Sequence, residues 1–295
     1  MNRDYLLAGG AVICWSSIPP ISKLMLNDIT PAAVLFLTST VASLSLLIYN
    51  IARGNLKKFA ALRPIDWLKL IWMGFVGYFI YNAAYYLGID RLSAQDACVI
   101  NYLWPLMTVI FSCIILKERF TAAKGIAAVL SFAGVAIVAT KGDFSGFANI
   151  DFIGVLCCLT AAVSYGVYSA FNKKYDYDQE PAMFLYFAIT AVCSGIWTLS
   201  DPSSFFPFSL SGFEFAGVLW IGIVVSAVGY LIWNLALNRG DTAKISNLAY
   251  ITPFLAMVLS CLILKEPFDP HTLLGLLLII SGIIVQMKGG KRKSQ

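Results

Sequence analysis

The chain has 295 residues, of which 59% are hydrophobic and only 13% charged, and its mean hydropathy is +0.77. This composition excludes a water-soluble domain of this length, because closing one core needs far less apolar surface. The net charge of +5 comes from basic residues dispersed over several segments without interleaved surface aromatics, which excludes a nucleic-acid-binding patch.

Apolar segments of about 20 residues, the length that crosses a hydrocarbon core of roughly 30 Å, follow one another along the chain. We predict ten transmembrane helices, at residues 6–26, 31–52, 65–89, 93–116, 121–139, 151–172, 181–199, 212–238, 242–264 and 270–287. The first segment is interrupted by Pro19 and Pro20 and lacks a small-residue cleavage site, so we expect it to stay in the mature protein. The connections are short, which places any function within the membrane.

The distribution of Lys and Arg around the spans predicts their orientation. With the N-terminus inside, all but four of the 21 basic residues flank the cytoplasmic ends of the spans; the four are Lys23, Arg91, Lys141 and Lys265. Both termini are therefore expected in the cytoplasm. All seven cysteines fall inside predicted spans, which indicates neither a disulfide framework nor a zinc site.

An internal repeat relates the two halves of the chain. The third and fourth spans parallel the eighth and ninth when a four-residue deletion is allowed, so that Asn82 aligns with Asn234 and Pro105 with Pro253. Each copy contains five spans, and this odd number makes the second copy enter the membrane from the opposite side. The two predicted domains are residues 1–142 and 151–290. Inverted repeats are common in secondary transporters; a duplication that only enlarges a membrane bundle is the alternative.

Prolines interrupt three predicted spans and are candidates for helix-break or gating positions. They are Pro19 and Pro20 in the first span, Pro105 in the fourth and Pro253 in the ninth. A proline within a helix has no N–H and frees the carbonyl four residues earlier, which belongs to Asn101 in the fourth span and to Ala249 in the ninth. We therefore expect both helices to bend there or to border a polar cavity.

Polar and aromatic side chains gather near the centres of the same spans, away from the span ends where interfacial aromatic belts lie. In the third span Tyr78, Tyr81 and Tyr85 follow the i, i+3, i+7 spacing of one helical face. Each residue alone is more readily explained by helix packing, but the whole set predicts a solute site. The candidate substrate-binding residues are Trp15, Ser16, Tyr78, Tyr81, Asn82, Asn101, Tyr102, Trp104, Tyr165, Trp233, Asn234 and Tyr250.

Charged residues are absent from the middle of the predicted spans. The one acidic residue inside a span boundary is Asp96, about one turn into the fourth span. It is a candidate for proton or sodium coupling, and the alternative role is to stabilise a helix N-terminus. A largely uncharged, aromatic-lined path suits an apolar or zwitterionic solute, whose ring stacks on Trp or Tyr and whose ammonium lies over a π face.

Catalytic and ATP-driven functions lack the residues that they need. His271 is the single histidine and there is no Walker-type loop, so we expect neither an enzyme nor an ATP-driven pump. No charged ring or filter-like repeat indicates a channel. We expect no catalytic residues, no cofactor and no metal. The expected partners are a small-molecule substrate and the lipid bilayer, without nucleic acid; one chain suffices to surround a path, so a monomer is expected.

Three segments resemble a known family. INYLWPLMTVIFS, CWSS in the first span and LAYITPFLAMVLSCLILKEPF in the second half resemble the EamA-type, ten-helix members of the drug/metabolite transporter (DMT) superfamily, and most of all the YddG-type aromatic amino acid exporters. The likeness covers nearly the full length, and residues 101–105 are its most specific part. It implies a basket-like bundle in which spans one, three, four, six, eight and nine enclose a central cavity lined by most of the candidates above.

These observations predict a multi-pass secondary transporter of a bacterial inner membrane. It is expected to export small metabolites, foremost aromatic or hydrophobic amino acids, by alternating access around a midplane cavity. One alternative is a DMT carrier of a drug-like cation, nucleoside, sugar or choline-like compound, because residues 91–95 lack the histidines associated with the enterobacterial exporters. Another is a membrane scaffold or receptor that transports nothing.

Overall fold

The computed structural model describes residues 3–143, 150–200, 210–239, 245 and 247–291. In this part of the chain helices follow one another with short turns between them. Eight helical segments are long and apolar enough to cross a membrane: Arg3–Met25, Pro31–Ala52, Ala94–Ile115, Ala122–Thr140, Phe152–Tyr175, Gln179–Ser200, Gly212–Leu237 and Pro270–Met287. The last of these belongs to a helix that continues to Lys291.

Two further helical runs occupy the positions of the predicted third and ninth spans. The third consists of three consecutive helices, Pro64–Gly74, Phe75–Ile80 and Tyr81–Arg91, and a short helix, Leu56–Ala60, precedes it. The described part of the ninth includes the apolar stretch Ala249–Leu264. With these two, the described helices follow the order of the ten predicted spans; residues 242–244 and 246 of the predicted ninth span lie outside the described residues.

Three spans are broken near their middle, and prolines stand at the breaks. The first span is divided into Arg3–Ser16 and Ile18–Met25, and the fourth into Ala94–Asn101 and Trp104–Ile115. In the ninth, a one-turn 3₁₀ helix precedes Thr252–Leu264. In each broken span, a proline occupies the first or second position of the helix that follows the break. A backbone N–H at these positions has no acceptor within its own helix, so proline, which has no N–H, is tolerated there. These spans are therefore discontinuous rather than merely bent.

The third and eighth spans contain π-helical stretches at similar depths of the two halves. The first is Phe75–Ile80 and the second is Trp220–Gly229, which continues into Tyr230–Arg239. A π turn widens the helix and changes the angular spacing of its side chains, and such turns are frequent at functional sites. Both stretches adjoin residues of the central cavity described below.

The contacts between spans have the symmetry of an inverted repeat. The fifth span packs along the tenth and the second along the seventh, so each pairs with its own counterpart. The third contacts the sixth as the eighth contacts the first, and the fourth contacts the sixth as the ninth contacts the first. The fourth and ninth spans also end alike, with Lys117 and Lys265 at φ values of 57° and 56°. The packing therefore agrees with two related five-span halves.

Large apolar side chains cover the outside of the bundle. Leu199 and Leu262 keep 73% and 71% of their surface exposed, and they are two of many such residues along the spans. A soluble protein rarely leaves contiguous apolar surface of this extent open to water. The exposed belt thus fits a hydrocarbon environment, and the polar contacts of the protein are left to the interior and the two ends.

Candidate transport cavity

A cavity of about 350 Å³ lies between the spans, within the roughly 300–1,000 Å³ range of small-molecule sites. Its walls come from the first, third, fourth, sixth, seventh, eighth and ninth spans. The lining residues are Trp15, Ile18, Pro19, Tyr78, Tyr81, Tyr85, Cys98, Asn101, Tyr102, Trp104, Tyr165, Tyr168, Ser169, Asn172, Gln179, Met183, Tyr230, Trp233, Asn234, Ala249 and Thr252. Among the described residues, no acidic, basic or histidine side chain lines it.

Aromatic rings form two groups around the cavity. In one, Tyr165 stands between Tyr81 and Trp104, with ring centroids 4.9 and 5.2 Å apart respectively. In the other, Trp15 lies 5.2 Å from Tyr230 and 5.1 Å from Trp233. The tilted and edge-on arrangements leave ring faces available to a further ring or to a cation.

The breaks in the fourth and ninth spans meet at this cavity. The hydroxyl of Tyr102 donates a hydrogen bond to the carbonyl of Ala249, the same carbonyl that Pro253 leaves without a helical partner. Ser16 in the broken first span donates to the carbonyl of Thr252 at 3.0 Å. The polar groups exposed by the three breaks thus partly satisfy one another.

The structure brings nine of the twelve predicted binding residues to the lining: Trp15, Tyr78, Tyr81, Asn101, Tyr102, Trp104, Tyr165, Trp233 and Asn234. The other three predicted residues do not line the cavity.

Ser16, Asn82 and Tyr250 contact other parts of the protein. Ser16 is fully buried and donates to the carbonyls of Val12 and Thr252, and the amide of Asn82 donates to the Tyr78 carbonyl at 2.7 Å. The Tyr250 hydroxyl lies 3.6 Å from the sulfur of Met287. Of the four prolines, Pro19 lines the cavity, whereas Pro20, Pro105 and Pro253 are buried at the helix breaks.

The cavity extends toward the end of the bundle at which the first span begins. Asn172 lies near the end of the sixth span, Gln179 is the first residue of the seventh, and Asn234 lies near the end of the eighth. The Gln179 side chain donates to the Asn172 side-chain oxygen at 3.0 Å. This end is lined by neutral amides and we call it the terminal end.

Polar contacts tie the spans together at the opposite end. The ammonium of Lys23 donates to the carbonyls of Ile89, Asp90 and Leu92 at 2.7 to 2.8 Å and so caps the end of the third span. Glu266, just beyond the ninth span, accepts from the backbone N–H of Ala94 and from the Gln95 amide, at 2.9 and 3.1 Å. We call these contacts the outer links.

Asp96 belongs to the same end and lies outside the cavity lining. Both of its oxygens lie 2.6 Å from the ammonium of Lys141, and the Thr272 hydroxyl donates to it at 2.5 Å. Lys141 also pairs with Asp269 at 2.6 Å. Asp96 thus joins the fourth span to the fifth and tenth.

The cluster perturbs the ionisation of its members. Partial burial acts to raise the pKa of Asp269, but the hydrogen bond and charge of Lys141 outweigh it and hold that pKa at about 2. Desolvation acts to lower the pKa of Lys141, but the charges of Asp96 and Asp269 raise it above its ordinary value. Both groups are therefore ionised at neutral pH.

Comparison with known proteins assigns the family. The EamA-like transporter family matches residues 3–140 and 152–287, which together are most of the chain. The protein belongs to the EamA-like transporter family. Each matched range contains five spans, which agrees with a fold of two repeats. The predictions of the EamA family and of an all-helical, two-repeat membrane fold are confirmed.

Similar proteins include amino acid exporters and uncharacterized transporters. The chain is 26% identical to the uncharacterized transporter YvbV of Bacillus subtilis over 99% of its length and 94% of the relative's. It is 26% identical to the aromatic amino acid exporter YddG of Ancylobacter novellus over 86% of each chain. It is 25% identical to a probable terminal-alkyne amino-acid exporter of Streptantibioticus cattleyicolor, over 93% and 90%. A crystal structure with 24% identity matches all of this chain and 99% of its own, with a TM-score of 0.70, and shows the same fold.

The EamA bundle also brings residues to the cavity that the set of twelve did not contain. Met183 and Gln179 come from the seventh span, which contributed no residue to that set. Its helix begins at Gln179, two residues before the predicted start at Pro181, because proline is tolerated within the first helical turn. Helical spacing in the sequence indicates Tyr168 and Tyr230 as further lining residues, because each lies three residues from a predicted one, Tyr165 or Trp233.

Proposed function

We propose that this EamA transporter exports small, net-neutral metabolites, foremost aromatic or hydrophobic amino acids, through the central cavity. The observation that carries the proposal is the lining itself, which combines aromatic rings with neutral amides and, in the described residues, holds no Asp, Glu, Lys, Arg or His side chain. Such a surface stacks an aromatic ring and hydrogen-bonds a polar group, but offers no counter-ion to a solute of net charge. Two relatives, named an aromatic amino acid exporter and a probable terminal-alkyne amino-acid exporter, support the same class.

The distribution of basic residues supports an orientation for this transport. If the terminal end faces the cytoplasm of a bacterial inner membrane, nearly all Lys and Arg lie on the cytoplasmic side. The cavity then extends to the cytoplasm, and the outer links hold the external end together. This arrangement corresponds to an inward-facing state that takes up solute for export, and one chain supplies the whole path.

Alternating access follows from the two halves, for which we propose the bounds 1–142 and 151–290. Exchanging the conformations of two inverted halves converts a path open at one end into a path open at the other. In this protein the exchange requires that the outer links separate and that the terminal end closes around the sixth, seventh and eighth spans. The helix breaks at Pro19, Pro20, Pro105 and Pro253 are the proposed hinge positions, because interrupted helices bend at little cost.

A transport assay tests the proposal. Purified protein in liposomes is expected to give saturable uptake of radiolabelled phenylalanine and tryptophan. Trp104→Ala removes the ring beside Tyr165 and is expected to lower uptake about tenfold at subsaturating solute, since a lost aromatic contact costs roughly 1.5 kcal/mol with its burial. Trp72→Ala is the matched control, because Trp72 is 38% exposed on the outside of the third span.

The outcome separates the activity from the site. Uptake by the wild type that Trp104→Ala leaves unchanged contradicts the site, whereas silence of the wild type toward all amino acids contradicts the substrate class. Repeating the uptake with and without an imposed proton gradient tells whether transport is facilitated or coupled. Asp96 stands as the coupling candidate, and Asp96→Asn then has to abolish the response to the gradient.

The aromatic group around Trp15 favours one second candidate, a carrier of a drug-like or choline-like cation. The ring centroid of Trp15 lies 5.2 Å from that of Tyr230 and 5.1 Å from that of Trp233. Several aromatic faces this close together bind quaternary ammonium groups. A competition panel discriminates the two: quaternary amines inhibit uptake by a cation carrier, and phenylalanine does not. Nucleosides and sugars are included in the panel as further competitors. A scaffold or receptor that transports nothing does not need the cavity.

A further inference from the structure

Three side chains at the cavity hold buried polar atoms with no hydrogen-bond partner among the described residues. They are the indole N–H of Trp15, the side-chain oxygen of Asn101 and the hydroxyl of Thr252, from the first, fourth and ninth spans. A buried polar atom without a partner disfavours the folded state, and native proteins keep few of them. Three in the lining of one cavity indicate that a bound solute supplies the missing partners.

The three side chains lie where the broken spans meet. Ser16, next to Trp15, donates to the Thr252 carbonyl at 3.0 Å, and Tyr102, next to Asn101, donates to the Ala249 carbonyl. Both contacts hold the backbone next to the unpaired atoms in place. The site of the unpaired atoms is therefore formed by three spans and not by one flexible side chain.

The orientation of the Asn101 amide is also fixed. Its nitrogen donates to the Tyr81 hydroxyl at 3.1 Å, which leaves the amide oxygen as a free acceptor. Because the Tyr81 oxygen accepts this bond, its own O–H remains a donor. Asn101 is 5% exposed, so water competes little for its oxygen.

The unpaired groups define the chemistry of a ligand. Asn101 offers an acceptor, Trp15 a donor, and Thr252 both, without a charged side chain in the described lining to neutralise a net charge. A matching group has strong donors and strong acceptors side by side and no net charge. The head group of a free α-amino acid has this composition, with an ammonium and a carboxylate on one carbon.

We propose that Asn101, Trp15 and Thr252 form a head-group subsite for a zwitterionic α-amino acid. The Asn101 oxygen accepts from the α-ammonium, and the Trp15 N–H and Thr252 hydroxyl donate to the α-carboxylate. The inference rests on the proposed function and deepens it, because it requires that the amino and carboxyl groups both be free. The side chain of the solute then occupies the rest of the cavity beside Tyr81, Trp104 and Tyr165.

A panel on the wild-type protein tests the requirement without any substitution. Competition against radiolabelled phenylalanine in proteoliposomes compares unlabelled phenylalanine, N-acetylphenylalanine, phenylalanine methyl ester and phenethylamine, which share the ring and differ at the head group. We expect each modified compound to compete about tenfold less well or worse, as for the loss of one hydrogen bond to a charged group. Equal competition by the acetylated and esterified compounds overturns the subsite.

Two variants test the assignment of the atoms. Asn101→Asp keeps an acceptor and adds a negative charge, so the uptake ratio of phenethylamine to phenylalanine is expected to rise about tenfold. Trp15→Phe keeps a ring and removes the N–H, so phenylalanine uptake falls about tenfold while phenethylamine uptake, which involves no carboxylate, falls less. Trp72→Phe on the exposed face of the third span is the matched control.

Asn172→Asp tests whether position matters, because it adds the same charge at the terminal end of the cavity. An equal rise of the ratio in Asn172→Asp and Asn101→Asp overturns the subsite, since the effect is then a general one of cavity charge. If Asn101→Asp does not purify as a monodisperse protein, Trp15→Phe and the wild-type panel decide. Wild-type protein that transports phenethylamine but no amino acid contradicts the proposed function and the subsite together, whereas amino acid uptake that ignores head-group changes contradicts the subsite alone.

Discussion

Gly134 and Gly275 set the distance between the fifth and tenth spans. A Cβ atom at Gly275 would lie 2.4 Å from the Val138 side chain and 2.7 Å from the Gly134 carbonyl oxygen, and one at Gly134 would lie 2.5 Å from the Gly275 carbonyl oxygen. The obstructing atoms include backbone, which cannot move without separating the helices. Small residues of this kind let membrane helices approach closely where lipid offers no hydrophobic driving force.

Gly275→Ala is therefore expected to destabilise the protein by about 1–3 kcal/mol, the usual cost of overpacking. The measurement is the thermal unfolding of purified protein in detergent. Gly9→Ala is the matched control: a Cβ at Gly9 meets nothing within 4 Å, and Ala favours the helix by up to about 1 kcal/mol. Equal melting temperatures of the wild type and Gly275→Ala would contradict this prediction and show that the two helices make room for a methyl group without loss of stability.

At the same scale, the sequence anticipated most aromatic residues of the cavity but not the orientation of each side chain. The helical spacing of Tyr78, Tyr81 and Tyr85 placed them on one face, and all three line the cavity. Asn82 shares that α-helical spacing, yet its amide bonds to the Tyr78 carbonyl. The π-helical stretch Phe75–Ile80 changes the angle between successive side chains, and hydropathy gives no sign of such a turn.

At the scale of elements, prolines stand where the helices are interrupted, whereas the partner of the freed carbonyl does not follow from the sequence. The sequence indicated that Pro253 frees the Ala249 carbonyl; its partner, the Tyr102 hydroxyl, comes from a span more than a hundred residues away. Local rules describe what a break exposes, whereas packing decides what satisfies it. The same holds for Asp96, whose partners Lys141 and Thr272 come from other spans.

The ion cluster around Lys141 predicts a sensitivity to acid. The pKa of Asp269 is about 2 in the folded protein against an ordinary value of 3.8, so its contribution to stability is present above pH 3.8 and is lost as the pH falls through about 2. Asp269→Asn should therefore lower the melting temperature at pH 6 and have a smaller effect near pH 2.5. The difference is about 1 kcal/mol or less, because the pair is partly exposed to solvent. Parallel pH profiles of the two proteins would contradict the contribution of this pair.

At the scale of the whole molecule, the number of spans and their inverted repetition followed from the sequence, whereas the state of the path did not. Apolar length and the odd number of spans per copy are local quantities that can be counted. Which end of the path is held together depends on contacts such as Glu266 with Ala94 and Gln95, between residues more than 170 positions apart. The two halves have similar sequences, and yet their equivalent glutamates, Glu118 and Glu266, have different partners.

This difference makes Glu266 a test of the inward-facing state. Glu266 accepts hydrogen bonds at the N-terminus of helix Ala94–Asn101, where the helix dipole strengthens them. Its counterpart Glu118, at the terminal end, pairs with Lys124 and Lys173 instead. If the outer links hold the external end together, removing the Glu266 carboxylate favours the outward-facing state by the strength of those bonds, about 1–2 kcal/mol or roughly tenfold in population.

Cys98, which lines the cavity, reports on this change. In a variant that keeps Cys98 as its sole cysteine, Glu266→Ala is expected to raise about tenfold the rate at which a membrane-impermeant thiol reagent, added from the external side, labels the cavity. Glu118→Ala, at the other end, is the matched control and should not raise that rate, because its ion pairs do not contribute to the external closure. If Glu266→Ala and the wild type are labelled at the same rate, the Glu266 contacts do not determine access, and the Lys23 contacts together with packing among the first, fourth and ninth spans, which contact one another there, then close that end.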